Sequence, residues 1–254
     1  MSIINLTPDS FLESSRVQDA GTAVRRVREM LASGATIMDF GAVSTRPGAD
    51  PVPLETEWER LEPVLSAVAQ CWPGQRPFRI SVDTTRAEIV RRAFDLVGPL
   101  IVNDISAGED DPSMLLTAGA LGLGYVAMHK KGDPHTMDAL CEYPHGVVEE
   151  LLGYFQEFSE AAAEAGVVDW ILDPGLGFAK TPAQCWEILE RLGEFKVFGR
   201  PVLVGAADKR FTAEPTRRIT LRYGLPEGDR HLGTALAHSI ALGNGADILR
   251  VHRI

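Results

Sequence analysis

Eight short β-rich runs recur along the 254 residues, each ending in polar, glycine-bearing positions, and the intervals between them carry segments of helical period. The runs are SIINL (2–6), TIMDF (36–40), FRISV (78–82), LIVN (100–103), GYVAM (124–128), DWIL (169–172), PVLV (201–204) and DILRV (247–251). The clearest helix is predicted over DAGTAVRRVREMLASG, where Ala23, Val24, Val27, Met30 and Leu31 share a face and Gly34 marks the stop. Others are predicted near 54–70, 85–96, 145–165, 181–192 and 228–243, with a shorter one near 112–118. Strands that alternate with helices pair in parallel, because each crossover returns the chain to the same end of the sheet. Eight such units in about 250 residues predict an α/β fold of the (β/α)8 TIM-barrel class with a parallel eight-stranded core. A doubly wound open sheet is the alternative, but it usually places a glycine-rich phosphate loop after its first strand, and NLTPDSF has no glycine.

Only HRI follows the last strand, so the eighth helix is expected to be missing from this chain, and the N-terminus is short. No linker, low-complexity tract or composition break interrupts the pattern, which predicts one domain over 1–254. No apolar run approaches the roughly 20 residues of a membrane span. No secretory leader pattern is visible either, so a cytoplasmic protein without a membrane partner is expected. The formal charge of -10 excludes a broad nucleic-acid face, which needs a basic surface. Any anionic ligand must therefore meet a local cluster of positive groups. Cys71, Cys141 and Cys185 show neither disulfide nor zinc spacing, so reduced thiols are expected.

In a barrel of this class the working residues sit at the C-terminal ends of the strands. Those ends supply Asn5 and Thr7, then Asp39, Ser44, Thr45 and Arg46, then Asp83, then Asn103 and Asp104. They continue with His129, Asp173, Lys209, Arg250 and His252. Each one alone suits a cap or a turn. Together they separate into two chemistries. Arg46, Arg250 and His252, with the amide of Asn5, suit a phosphate or diphosphate, arginine offering a bidentate fork. Asp83, Asn103, Asp173 and Lys209 offer the mixed donors and acceptors that a flat heterocycle needs, with Met128 and Phe178 as apolar walls.

The motifs SIINLTPDSF, DFGAVSTRPGA, ISVDTTRAEI, IVNDIS, MHKKGDPHTM, ILDPGLGFAKT, PVLVG and ILRVH, in this order and across essentially the whole chain, closely resemble dihydropteroate synthase. The resemblance implies a transferase of folate synthesis that joins 6-hydroxymethyl-7,8-dihydropterin diphosphate to p-aminobenzoate and releases diphosphate. It implies that Asp83, Asn103, Asp173 and Lys209 bind the pterin, with Met128 and Phe178 beside its ring. Asn5 would meet the diphosphate and its Mg2+, and Arg46, Arg250 and His252 would hold the phosphoryl oxygens. Thr45, Pro47 and Phe11 match positions on two loops, after strands one and two, that close over p-aminobenzoate. STRPG then looks like part of an active-site lid. The family also implies a homodimer and sensitivity to sulfonamides.

The chain departs from the family pattern after strand seven, where Ala207, Asp208, Lys209 and Arg210 replace a usual Ser-Arg-Lys-Ser run, and at Val43, where an acidic residue is usual. Arg210 stands in the position of a serine that meets the p-aminobenzoate carboxylate. It is expected either to bind that carboxylate or to pair with Asp208 at the surface. Two other readings use the same residues: a non-catalytic pterin-binding paralogue, and a pterin-dependent methyltransferase. The latter has no use for a diphosphate site.

Overall fold

The computed structural model describes residues 1–7, 19–45, 48–213, 217, 222 and 230–253. Eight strands are present: β1 (Ser2–Asn5), β2 (Ile37–Gly41), β3 (Arg79–Asp83), β4 (Ile101–Asp104), β5 (Gly124–Met128), β6 (Trp170–Asp173), β7 (Leu203–Val204) and β8 (Ile248–Leu249). The described helices include α1 (Ala20–Ala32), α2 (Leu54–Cys71), α3 (Ala87–Val97), α4 (Met114–Ala120), α5 (Val147–Glu164), α6 (Pro182–Glu190) and α7 (Arg230–Gly243). Strands β2, β3, β4 and β6 lie one residue later than the apolar runs predict. Aspartates close three of them, and at Asp104 and Asp173 the reason is local. Each carboxylate accepts from the amide two residues on, Ser106 or Gly175, at 2.8 Å, so the turn starts inside the strand's last residue.

The chain packs as two compact units. The first comprises Met1–Met128, Phe158–Trp170 and Val251–Ile254. In it β1 to β5 pair in parallel in chain order, Ile4 beside Phe40, Phe40 beside Val82, Val82 beside Val102 and Val102 beside Tyr125. The Tyr125 amide then donates to the Asp169 carbonyl at 2.9 Å, and Ser2 bridges Val251 in parallel. Strands covered on both faces read as nearly unbroken apolar runs, and Ile4, Phe40, Val82 and Val102 are fully buried. Against them α1 turns in Ala23, Val24, Val27 and Met30, and α3 turns in Ile89, Val90, Ala93 and Val97. Asp19 caps α1, its carboxylate accepting from the Thr22 amide at 2.9 Å. Gly98, at φ 74, takes α3 out of the helix where a side chain would be strained.

The second unit comprises His129–Glu157 and Ile171–Arg250. Here Leu172 bridges Val202 and β7 pairs with β8, all in parallel. The Arg250 amide donates to the Val204 carbonyl at 2.9 Å. Helix α6 opens with a capping box, the Thr181 hydroxyl and the Gln184 side chain exchanging bonds with each other's backbone, and Pro182 stands where no amide is needed. The helix predicted to reach residue 192 stops at Glu190, and a 3-10 stretch over Leu192–Phe198 follows. Within each unit the strands pair in parallel and in chain order, and in the first Val251 returns to Ser2, the sequence-ordered parallel pattern of the (β/α)8 class.

Candidate active site

In the first unit the end of β1 is a tight turn. The Asn5 side-chain oxygen accepts from the Thr7 amide at 2.9 Å and from the Thr7 hydroxyl at 2.7 Å, which fixes the amide group's direction. Asp83 ends β3 half-buried, with Gly41 alongside on β2. A Cβ at Gly41 would lie 3.3 Å from the Asp83 Cβ, so the glycine leaves the carboxylate its room. Asn103, 5% exposed, donates its side-chain amide to Asp39 at 3.1 and 3.3 Å. Asp39 also accepts from the Ser81 hydroxyl at 2.7 Å.

Two strand-end carboxylates are therefore not rim groups. Asp39 is fully buried and orients Asn103. Asp104 is fully buried too, taking the Ser106 amide and hydroxyl, the Gly108 amide and, at 2.5 Å, the Tyr125 hydroxyl. Burial pushes the Asp104 carboxyl up, and those four hydrogen bonds oppose the shift. Met128 is buried on β5, Thr45 is half-exposed, and the His252 carbonyl accepts from the Arg26 guanidinium at 2.6 Å. Phe11, Arg46 and Pro47 lie outside the described residues.

In the second unit Asp173, Lys209, Phe178 and Arg250 come together. Asp173 is 7% exposed, and burial raises its carboxyl above the usual range while the charges of Lys209, Arg250 and Lys180 pull it back. The Lys209 ammonium sits 4.7 Å from the Phe178 ring centre and donates to the Leu176 carbonyl. Desolvation brings it down to about 8 despite Asp173. A carboxylate, an ammonium and an aromatic face side by side can recognise a planar ring that has both NH groups and acceptors.

Reasoning from sequence missed the residue that holds this wall in place. Lys180, 7% exposed, donates to the Phe178 carbonyl at 3.0 Å and lies 2.9 Å from the His129 Nδ1. Burial lowers Lys180 to about 7, and burial together with the neighbouring charges of Lys180 and Lys131 lowers His129 to about 2. The Tyr143 hydroxyl donates to the Ala179 carbonyl at 3.0 Å, and Ala179 itself is held at φ 50. A non-glycine residue in that region needs such anchoring. The signal was a lysine in the otherwise small and apolar GLGFAKT.

The surface pair of Asp208 and Arg210, the alternative reading of that run, does not form. Arg210 pairs with Asp138 at 2.6 Å, both side chains exposed. Asp208, at φ 56, donates its amide to the Thr234 hydroxyl at 3.1 Å, and its carboxylate is 4.0 Å from His231. Among the described residues no group of three His, Cys, Asp or Glu could hold a metal ion, and no helix is long and apolar enough to cross a membrane.

Comparison with known proteins accounts for this geometry. The family model of the pterin binding enzymes matches residues 1–252. The dihydropteroate synthase of Synechocystis sp. is 38% identical over all of this chain and 84% of its own length. That of Escherichia coli K12 is 37% identical over all of this chain and 86% of its own. Among solved structures, Yersinia pestis dihydropteroate synthase in a sulfonamide complex superposes with a TM-score of 0.86 at 32% identity, over 99% of this chain and 87% of that one. The Thermus thermophilus enzyme in complex with 4-aminobenzoate gives 0.81 at 37% identity, over 99% and 87%. With a full-length family match, relatives above one-third identity and the fold in common, the chain belongs to the pterin-binding enzyme family, among its dihydropteroate synthases.

Proposed function

We propose that the protein condenses 6-hydroxymethyl-7,8-dihydropterin diphosphate with p-aminobenzoate to give 7,8-dihydropteroate and diphosphate, acting as one domain over 1–254. The observation that carries this reading is the buried Asp173 carboxylate facing Lys209 and Arg250, with the Phe178 ring under the ammonium. Asp83, Asn103, Asp173 and Lys209 bind the pterin, and Phe178 and Met128 wall its ring. Arg46, Arg250 and His252 hold the phosphoryl oxygens, and Thr45, Pro47, Phe11 and Arg210 serve p-aminobenzoate.

The reaction breaks the bond between the pterin methylene carbon and the diphosphate oxygen and forms one between that carbon and the arylamine nitrogen, which then loses a proton. The bond's electron pair leaves with the diphosphate, and cationic side chains stabilise the charge that grows there. The ring nitrogens of the dihydropterin share the positive charge left on the methylene carbon. Asp173 and Asn103 keep that ring oriented, and no side-chain nucleophile is required. A magnesium ion would neutralise charge on the leaving group. Mg2+ keeps several waters and takes substrate phosphate oxygens, so one protein oxygen would suffice, and the Asn5 amide oxygen would supply it by exchanging the hydrogen bond from the Thr7 hydroxyl for the metal.

The test is to incubate the purified protein with Mg2+ and both substrates and assay for dihydropteroate. The altered run Ala207, Asp208, Lys209 and Arg210 favours one other reading, a pterin-binding paralogue without turnover. Tight pterin binding without product, and product gained in the triple variant Ala207→Ser, Asp208→Arg, Arg210→Ser, would establish that reading instead. The assembly expected is a homodimer in the cytoplasm, checked for its mass by sedimentation.

A further inference from the structure

The segment between β2 and α2 carries Thr45, and both its stems are held by side chains that the reaction does not use. On the strand side, the Ala42 carbonyl accepts from the Arg60 guanidinium of α2 at 2.8 Å. On the helix side, the Val52 carbonyl accepts from the Arg86 guanidinium at 2.5 Å. Glu57 joins these contacts. It is 1% exposed on the inner face of α2, among Leu61, Val64, Leu65 and Val68. Its carboxylate takes the second arm of Arg86 at 2.6 Å and the Thr84 hydroxyl at 2.6 Å. Burial raises the Glu57 carboxyl, and Thr84, Arg86 and Arg60 oppose the rise. Thr84 follows Asp83 directly, and its amide donates to the Asn103 carbonyl at 3.1 Å.

A helix face that packs on a sheet is ordinarily apolar, and a charge there is costly to desolvate. Replacing a buried ion pair by an apolar side chain is often neutral or stabilising, so stability alone does not account for Glu57. Its geometry does suggest a use: one carboxylate reaches the end of β3, beside Asp83, and the arginine that grips the loop's far stem. Holding the Ala42 and Val52 carbonyls fixes the backbone before and after Thr45 and leaves fewer backbone states to lose on binding.

We propose that Glu57, Arg60 and Arg86 are positioning residues that set where Thr45 stands and so determine affinity for p-aminobenzoate. The inference rests on the reading of Thr45 as a p-aminobenzoate contact. It is tested by titration calorimetry of p-aminobenzoate with pterin and diphosphate present, beside titration of the pterin alone, on the wild type, Thr45→Ala, Arg60→Met, Arg60→Lys and Glu57→Leu. Releasing one stem frees about one residue's worth of backbone entropy, so Arg60→Met is expected to weaken p-aminobenzoate about 5- to 30-fold. Pterin affinity is expected to stay unchanged, and Arg60→Lys, which keeps one donor, to recover part of the loss. Glu57→Leu is expected to lower the melting temperature, since Arg86 and the Thr84 hydroxyl lose their acceptor, and to weaken p-aminobenzoate while pterin affinity holds, a split between the two ligands that a merely structural role would not produce. If Thr45→Ala weakens binding and neither Arg60→Met nor Glu57→Leu does, the positioning role is wrong. Equal losses of pterin affinity in those two variants would also overturn it. If Thr45→Ala changes nothing, or the wild type does not bind p-aminobenzoate, the role of Thr45 fails and the inference with it.

Discussion

Arg210 is the residue of the loop after β7 whose proposed role is most directly tested. Its guanidinium pairs with Asp138 at 2.6 Å, but with side chains 70% and 53% exposed the pair is worth under about 1 kcal/mol. A ligand carboxylate that accepts both arms of the arginine fork can displace it. Asp138→Asn is therefore expected to lower the Michaelis constant for p-aminobenzoate and Arg210→Ser to raise it several-fold. Steady-state kinetics would check this, and a lower constant in Arg210→Ser would mean that the arginine obstructs the pocket. Sulfonamides carry a bulkier sulfonyl group in place of that carboxylate, so inhibition is expected to be weak and to strengthen in Arg210→Ser. Asp173 sits at the other extreme, buried and facing charges. Asp173→Ala is expected to cost about 1.5–3 kcal/mol of affinity for a pterin lacking diphosphate, and Arg46→Ala almost none. Equal losses in calorimetry would contradict the division of roles.

At the scale of elements, the parallel register sets Asp39 of β2 beside Ser81 of β3, and both Ser81 and Asn103 of β4 bond to its carboxylate. Asp39→Ala removes the acceptor of a buried amide, a loss of about 1–3 kcal/mol. Urea unfolding should show it, and pterin affinity should fall as Asn103 loses its orientation. Unchanged pterin affinity would mean that Asn103 is held by other means. The strands were legible because buried parallel strands are near-continuous apolar runs, and α6 was legible from its helical period. The direction of a carboxylate was not legible. Asp39 and Asp104 look alike beside Asp83 in a one-dimensional pattern, yet their partners decide their roles, and those of Asp39 lie 42 and 64 residues away. The start of α3 was obscured for the same reason, since the Ala87 amide is capped by Asp111 from a later loop, at 2.7 Å. Glu57 and Lys180 went unread because a charged residue in a helical or loop pattern is ordinarily solvated.

For the molecule as a whole, the buried Lys180 and the half-buried Lys209 near Asp173 make stability depend on pH in a definite direction. Lys180 is lowered from 10.5 to about 7 and Lys209 from 10.5 to about 8, each mainly by desolvation. Between those values and 10.5 the unfolded chain binds more protons than the folded one, so unfolding free energy rises with pH. The cost of burying each charge is fully present below its folded value and is relieved as the pH climbs through it. His129, lowered from 6.5 to about 2, acts with the same sign in the acid range. There Asp173, Asp104 and Glu57, all raised by burial, act against it, so acid behaviour does not isolate the lysines. On the alkaline side Cys185 and Tyr143 are raised from 9.0 and 10.0, and each reduces stability once its unfolded form starts to ionise. The clean window runs from about pH 7 to 8.5, where one lysine contributes at most about 1.4 kcal/mol per pH unit. Urea unfolding across that window is expected to give a rising free energy. Lys180→Met removes one titrating group and should flatten the rise by up to that slope, most strongly near pH 7.5 to 8.5, where Lys180 has already shed its proton in the folded state. A variant slope equal to the wild type's would show that Lys180 stays charged against His129, and that the Phe178 wall is held by an ammonium instead of a neutral amine.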